Sequence, residues 1–110
     1  TLLGMSIDWR TGKSHIKRGI AGFSGPAIKP VALQNVYRVA SKVDIPILAM
    51  GGVCDWKDAL EFFYAGASVV AVGTYNFADP LATVSIIEKL GFFFTENDMN
   101  LIDIIGKVTF

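Results

Sequence analysis

Two short apolar runs set the pattern of this chain: Pro46-Ile-Leu-Ala-Met50 and Ser68-Val-Val-Ala-Val72. Each is rich in branched residues and stops abruptly at glycine, the first at Gly51-Gly52 and the second at Gly73-Thr74. An apolar run of this length reads as a strand buried on both faces, as in a parallel sheet. Between and after the runs the spacing becomes helical. Leu33, Val36, Tyr37, Ala40 and Val43 recur close to every 3.6 residues, which predicts an amphipathic helix over 31–43 with Pro30 in its first turn. Asp55 is placed as an N-cap, with Asp58 three residues on as in a capping box. Ala59, Leu60, Phe63 and Tyr64 give that helix its apolar face, and Gly66 is placed at its C-terminal cap. A further helix is predicted over 81–90, with Asp79 as N-cap, Pro80 in the first turn and Gly91 ending it. Residues 101–105 suit one more short helix.

Ahead of these units, residues 1–7 read as the end of a strand, and Asp8-Trp-Arg-Thr-Gly-Lys13 as a hairpin reversing at Thr11-Gly12. The predicted order is β, excursion, α, β, α, β, α. Such alternation argues for βαβ units and a parallel sheet, less than half of an eight-stranded β/α barrel. An arc of this kind leaves open strand edges and an uncovered inner face.

Composition sharpens that expectation. The chain has 110 residues, of which 52% are hydrophobic, and its mean hydropathy is +0.46. Small domains keep much of their surface exposed, so this apolar excess points to surface meant to be covered. A formal net charge of zero gives no reason to expect nucleic acid or an acidic membrane as partner. No apolar stretch approaches the ~20 residues that span a bilayer, and no signal peptide is expected. One cysteine excludes an internal disulfide and a Cys-rich zinc site. The start on Thr1-Leu-Leu, in mid-pattern, suggests a fragment.

The chemistry-bearing candidates lie at the glycines. In α/β architectures ligands bind at the C-terminal ends of the strands, where loop amides and helix N-termini converge. Without a Cβ, Gly51, Gly52 and Gly73 allow backbone amides to approach a phosphate closely. Either pair alone is explained by a tight βα turn; the two together favour one shared phosphate cradle. The His15, Lys17, Arg18 cluster reads as a solvated loop. Lone His15 has no partner at ligand spacing and takes no metal or catalytic role.

The segment Phe23-Ser-Gly-Pro-Ala-Ile-Lys-Pro30, then Met50-Gly-Gly-Val53, Asp58-Ala-Leu-Glu-Phe62, Ala65-Gly-Ala67 and Val72-Gly-Thr74 together resemble the dihydroorotate dehydrogenases. The form of the first segment looks most like the class 1B enzymes, and the resemblance covers residues 1–91. It implies the C-terminal portion of a (β/α)8 TIM barrel with parallel strands, residues 1–110 forming part of one FMN-binding barrel whose N-terminal part is absent. It also implies oxidation of dihydroorotate to orotate in pyrimidine biosynthesis. By resemblance, Thr1 would bind the substrate ring, and Gly25, Gly51, Gly52, Gly73 and Thr74 would bind FMN, the last four at its phosphate. The family's catalytic cysteine, a base on a mobile loop, falls in the absent half. No catalytic residue is therefore expected here, and the chain alone is expected to be inactive. Cys54 reads as a small loop or helix-start residue.

The resemblance further implies an iron–sulfur and FAD subunit as electron-transfer partner, an oligomer, and a cytoplasmic setting. Two alternatives stand beside it. One is the related flavin barrel of dihydropyrimidine dehydrogenases, which shares the Ser-Gly-Pro segment. The other is a non-catalytic partial barrel that binds a flavin or another phosphate ligand. The Phe92-Phe-Phe94 run is expected to pack against a neighbouring barrel element.

Overall fold

A computed structural model describes all of residues 1–110. Its elements run in the order β1 (Leu2–Gly4), β2 (Ala21–Phe23), α1 (Lys29–Ala40), β3 (Leu48–Met50), α2 (Trp56–Tyr64), β4 (Val69–Ala71), α3 (Ala82–Glu96) and α4 (Leu101–Ile104). Single 3-10 turns at Pro26–Ile28 and Thr74–Phe77 follow β2 and β4.

The strands form two separate pairs. β3 and β4 are parallel, with Leu48 opposite Val69, Ala49 opposite Val70 and Met50 opposite Ala71. This is the βαβ unit that the two apolar runs predict, with α2 as its crossover. β1 departs from the expectation of parallel strands, and β2 is a strand in the stretch expected to be an excursion. They pair antiparallel, with Leu2 opposite Phe23 and Gly4 opposite Ala21. The excursion between them explains it. Asp8 N–H donates to the Lys13 carbonyl at 2.8 Å, Gly12 N–H to the Asp8 carbonyl at 2.8 Å, and Ile7 bridges Ser14. That hairpin turns the chain back on itself, whereas a parallel return needs a crossover of a dozen or more residues that is usually a helix.

The core lies between the β3–β4 pair and the helices. Phe62 and Ala67 are fully buried, and Ala49, Ala59 and Ile104 are at most 2% exposed. Burial on both faces of the strands does not hold. Ala49 is buried, but Leu48 and Met50 on the other face are each 59% exposed, and Val69 is 52% exposed. Helices α1 and α2 cover one face, and no element of residues 1–110 lies over the other. The radius of gyration, 16.7 Å, accordingly exceeds the roughly 13 Å of a compact domain this long.

α2 starts as its sequence predicts. The Asp55 carboxylate accepts from the N–H groups of Lys57 and Asp58 at 2.8 and 3.0 Å, and Asp58 accepts from Asp55 N–H at 3.0 Å. α3 differs from the prediction at both ends. Asp79 accepts from Leu81 N–H at 2.9 Å, so it caps the turn before the helix, and regular structure begins at Ala82. Gly91 does not end the helix, which runs on to Glu96. A mid-helix glycine costs about 1 kcal/mol against alanine. Burial of the residues beyond it opposes that cost. Phe93 packs on Trp56 of α2 at a centroid distance of 5.3 Å and on Phe94 at 5.7 Å. The phenylalanine run thus packs on a neighbouring element through Phe93, Phe94 is partly buried against the core, and Phe92 stays exposed. After α4, Gly106 N–H donates to the Phe63 carbonyl at 3.0 Å and Val108 N–H to the Tyr64 carbonyl at 3.2 Å, tying the last residues to the end of α2. No helix is long and apolar enough to cross a membrane.

Candidate functional site

The C-terminal ends of β3 and β4 open into a cavity of about 190 Å³. All six residues singled out in the sequence line it: Thr1, Gly25, Gly51, Gly52, Gly73 and Thr74. They arrive from four separate stretches, ahead of β1, after β2, after β3 and after β4. Residues spread over the first 74 positions of the chain therefore converge on one wall.

Local chemistry explains why each loop stops there. Gly51 and Gly52 have φ of +137° and +77°, values that residues with a Cβ rarely adopt. They are also crowded. A Cβ on Gly51 would lie 2.6 Å from the Ala32 Cβ, and one on Gly52 would lie 2.7 Å from the Gly25 carbonyl oxygen. The two loops after β2 and β3 thus touch backbone to backbone. Gly73 is different: its φ is −102°, and a Cβ there would meet nothing within 4 Å. No side-chain crowding within the chain demands glycine at 73. Its loop is held instead by Asn76, whose side-chain amide donates to the Val72 carbonyl at 2.7 Å.

The cavity is neutral. No Lys, Arg, His, Asp or Glu lines it. The N–H groups of Gly51, Gly52 and Gly73 have no acceptor within the chain, so three backbone donors are available at the strand ends. The N-terminal amides of α2 are not, because Asp55 and Asp58 already accept from them. An amide-lined, glycine-walled recess suits a phosphate group bound through backbone donors. Thr74 adds a hydroxyl. Also lining the cavity, Thr1 Oγ1 and Ser24 Oγ are hydrogen-bonded at 2.8 Å. The residues present therefore fit the phosphate end of a flavin mononucleotide.

The sequence assigns no site role to Ser24, Tyr75 or Cys54 (the last read as a small loop or helix-start residue), yet all three line the cavity. Ser24 carried a usable signal, since it sits inside the Phe23–Pro30 segment next to Gly25. Tyr75 carried none: it enters because the chain turns in a 3-10 helix directly after Gly73. Cys54 N–H donates to Asp58 Oδ2 at 2.8 Å. Burial pushes its thiol pKa up, and the carboxylates of Asp58 and Asp55 push it further while Lys29 opposes. The thiol is thus kept protonated, in keeping with a loop residue. His15, away from the cavity, has Nδ1 3.0 Å from Ser6 Oγ on the hairpin.

Behind the cavity lies one ion-pair cluster. Lys29 Nζ is 2.5 Å from Asp58 Oδ1 and 3.0 Å from Glu61 Oε1. The hydrogen bond that Lys29 donates to Asp58 raises the Lys29 pKa, against a smaller opposing effect of burial, and Glu61 adds to the rise. Burial pushes the Asp58 carboxyl up. The Lys29 ammonium and the N–H groups of Cys54 and Asp55 outweigh that and hold it below its usual value.

In class, this is a mixed α/β chain whose parallel strand pair ends at a glycine-walled, neutral cavity. It belongs to the dihydroorotate dehydrogenase family, whose sequence model matches residues 1–94. Among curated relatives, the catalytic subunit of dihydroorotate dehydrogenase B (NAD(+)) from Bacillus cytotoxicus is 57% identical over 90 residues, which are 82% of this chain and 29% of that protein. The same subunit from Alkaliphilus metalliredigens is 58% identical over 90 residues, 82% of this chain and 30% of the relative. That from Geobacillus kaustophilus is 53% identical over 90 residues, again 82% of this chain and 29% of the relative. The chain thus spans about three-tenths of the length of the relatives it matches.

Proposed function

We propose that residues 1–110 form the C-terminal, phosphate-binding portion of an FMN-dependent (β/α)8 barrel that oxidises dihydroorotate to orotate in pyrimidine biosynthesis. The observation that carries this reading is the convergence of Thr1, Gly25, Gly51, Gly52, Gly73 and Thr74 on one uncharged cavity. The flavin, when bound, supplies the redox chemistry. The chain's own part is to hold it. The N–H groups of Gly51, Gly52 and Gly73, with the hydroxyl of Thr74, donate to phosphate oxygens, and charge-assisted bonds of this kind are about twice as strong as neutral ones. Gly25 brings its loop against the cofactor without a side chain. Thr1, hydrogen-bonded to Ser24, faces the substrate end and donates to the dihydroorotate ring.

The rest of the reading follows from what the chain lacks cover for. The exposed face of Leu48, Met50 and Val69 becomes the inside of the barrel once further strands close it. The cavity, about 190 Å³, falls short of the roughly 300–1,000 Å³ of complete ligand pockets, as expected of a site whose other wall comes from those strands. The resemblance puts the catalytic base outside residues 1–110, so turnover requires residues outside this chain, and residues 1–110 alone are inactive. The relatives' names, catalytic subunits of an NAD(+) enzyme, favour this reading over the dihydropyrimidine dehydrogenase and binding-module alternatives. They also favour an electron-transfer partner subunit, here taken as an iron–sulfur and FAD protein, in an oligomeric cytoplasmic assembly.

The test is a hybrid enzyme. The part of this chain that matches the A. metalliredigens subunit replaces the corresponding 90 residues of that protein, and dihydroorotate oxidation is assayed with its partner subunit. Turnover comparable to the parent, with uracil not reduced, is the expected result. A folded hybrid that purifies without flavin and turns over no dihydroorotate would contradict the proposal.

A further inference from the structure

We infer that Lys29 and Asp58, neither of which lines the cavity, are positioning residues that fix the spacing of its two glycine loops and so tune phosphate recognition. The inference rests on the proposed phosphate site and assigns a role to groups outside it.

One carboxylate ties both loops together. Asp58 Oδ2 accepts from the N–H groups of Cys54 and Asp55 at 2.8 and 3.0 Å, which anchors the chain two residues after Gly52. Asp58 Oδ1 accepts from Lys29 Nζ at 2.5 Å. Lys29 opens α1, directly after the Gly25–Ile28 turn. Its backbone N and Cβ each lie 3.1 Å from where a Gly52 Cβ would sit. The path Gly25, Lys29, Asp58, Cys54, Gly52 is therefore a closed loop of contacts, shut at the Gly25–Gly52 approach. Glu61 accepts from Lys29 Nζ at 3.0 Å, so the ammonium is held by two carboxylates on the α2 side and does not reach the cavity.

A capping box alone explains only half of this. The capping role of Asp58 needs its contacts to the N–H groups at the start of α2, and Lys29 has no part in it. Replacing Lys29 by methionine leaves the cap intact and removes the tie to the Gly25 loop. If the pair only stabilises the fold, such a change lowers the melting temperature and weakens all flavins alike. If it sets the spacing of the phosphate cradle, it weakens the phosphorylated flavin selectively.

The experiment uses the hybrid enzyme stripped of flavin and titrated with FMN and with riboflavin, which lacks the phosphate, by fluorescence quenching. In Lys29→Met the expected result is an FMN affinity lower by on the order of tenfold, riboflavin affinity within about twofold of the parent, and recovery of FMN binding in Lys29→Arg. Glu61→Gln, which leaves the Lys29–Asp58 bond, is expected to bind FMN as the parent does. An unchanged FMN-to-riboflavin ratio in Lys29→Met overturns the inference, whatever its melting temperature. Should that variant not fold, the same ratio in Asp58→Asn decides by the same criterion. A parent hybrid that binds FMN no better than riboflavin would overturn the phosphate reading itself, and this inference with it.

Discussion

The carbonyl oxygen of Gly25 faces Gly52 so closely that a Cβ on Gly52 would sit 2.7 Å from it. This approach joins the loop after β2 to the loop after β3 and closes the cavity on one side. Gly52→Ala is therefore expected to damage the fold as well as the site. The positive φ alone costs a residue with a Cβ about 1–2 kcal/mol, and the collision adds to it. Urea unfolding of the hybrid and its Gly52→Ala variant measures the loss. A difference below about 0.5 kcal/mol, the range of ordinary surface changes, would mean that the two loops do not meet as described.

Gly73→Ala is the contrasting case. Its φ is negative and a methyl group there meets nothing within 4 Å, so Gly73→Ala should cost less stability than Gly52→Ala, where a collision adds to the backbone cost. FMN affinity should fall on the order of tenfold or more, because in the proposed site the methyl group would stand where the phosphate approaches. Unfolding and flavin titration on the same preparation separate the two effects. Intact FMN binding would remove Gly73 from the cradle.

Much of this was legible in the sequence because local chemistry and packing agree. Asp55 and Asp58 make the reciprocal cap that their spacing announces, and the two glycine-terminated runs do pair in parallel. Gly91 was misleading because propensity is local, whereas the stacking of Phe93 on Trp56 joins residues 37 apart in the chain. The antiparallel pairing of β1 and β2 was hidden for a related reason: the turn at Thr11-Gly12 was visible, but not where it would deliver Ala21–Phe23. The candidate site was legible at its glycines, where absence of a side chain is itself a signal. Lys29 gave no such signal, since its contacts with Asp58 and Glu61 exist only once α1 lies beside α2.

The ion pair predicts how stability depends on pH. The folded-state pKa of Asp58 lies below its usual value, so its contribution is present above the unfolded value of about 3.9 and fades as pH falls through the depressed one. The folded-state pKa of Lys29 lies above 10.5. Its contribution is present below that and fades as pH rises through the raised value. Unfolding free energies measured across both ranges should show Lys29→Met losing the alkaline limb and weakening the acid one. Identical profiles for parent and variant would show that the pair contributes nothing.

Cys54 should behave as an unreactive thiol. Burial and the two nearby carboxylates favour its protonated form, and the thiolate is the reacting species. Alkylation by iodoacetamide near neutral pH is expected to be several-fold slower than that of a cysteine in an unfolded peptide. Cys54→Ser should leave dihydroorotate oxidation by the hybrid unchanged. Faster alkylation than the peptide, or loss of turnover in the serine variant, would assign Cys54 a chemical role.

The most direct test of the central claim follows the amides themselves. In the flavin-free hybrid labelled with 15N-glycine, FMN should shift the signals of Gly25, Gly51, Gly52 and Gly73 while Gly12 and Gly91, away from the cavity, stay in place. Riboflavin should leave Gly51, Gly52 and Gly73 largely unmoved, since the proposal has them bind the phosphate. Equal shifts with both flavins, or none at those three glycines with FMN, would contradict the account.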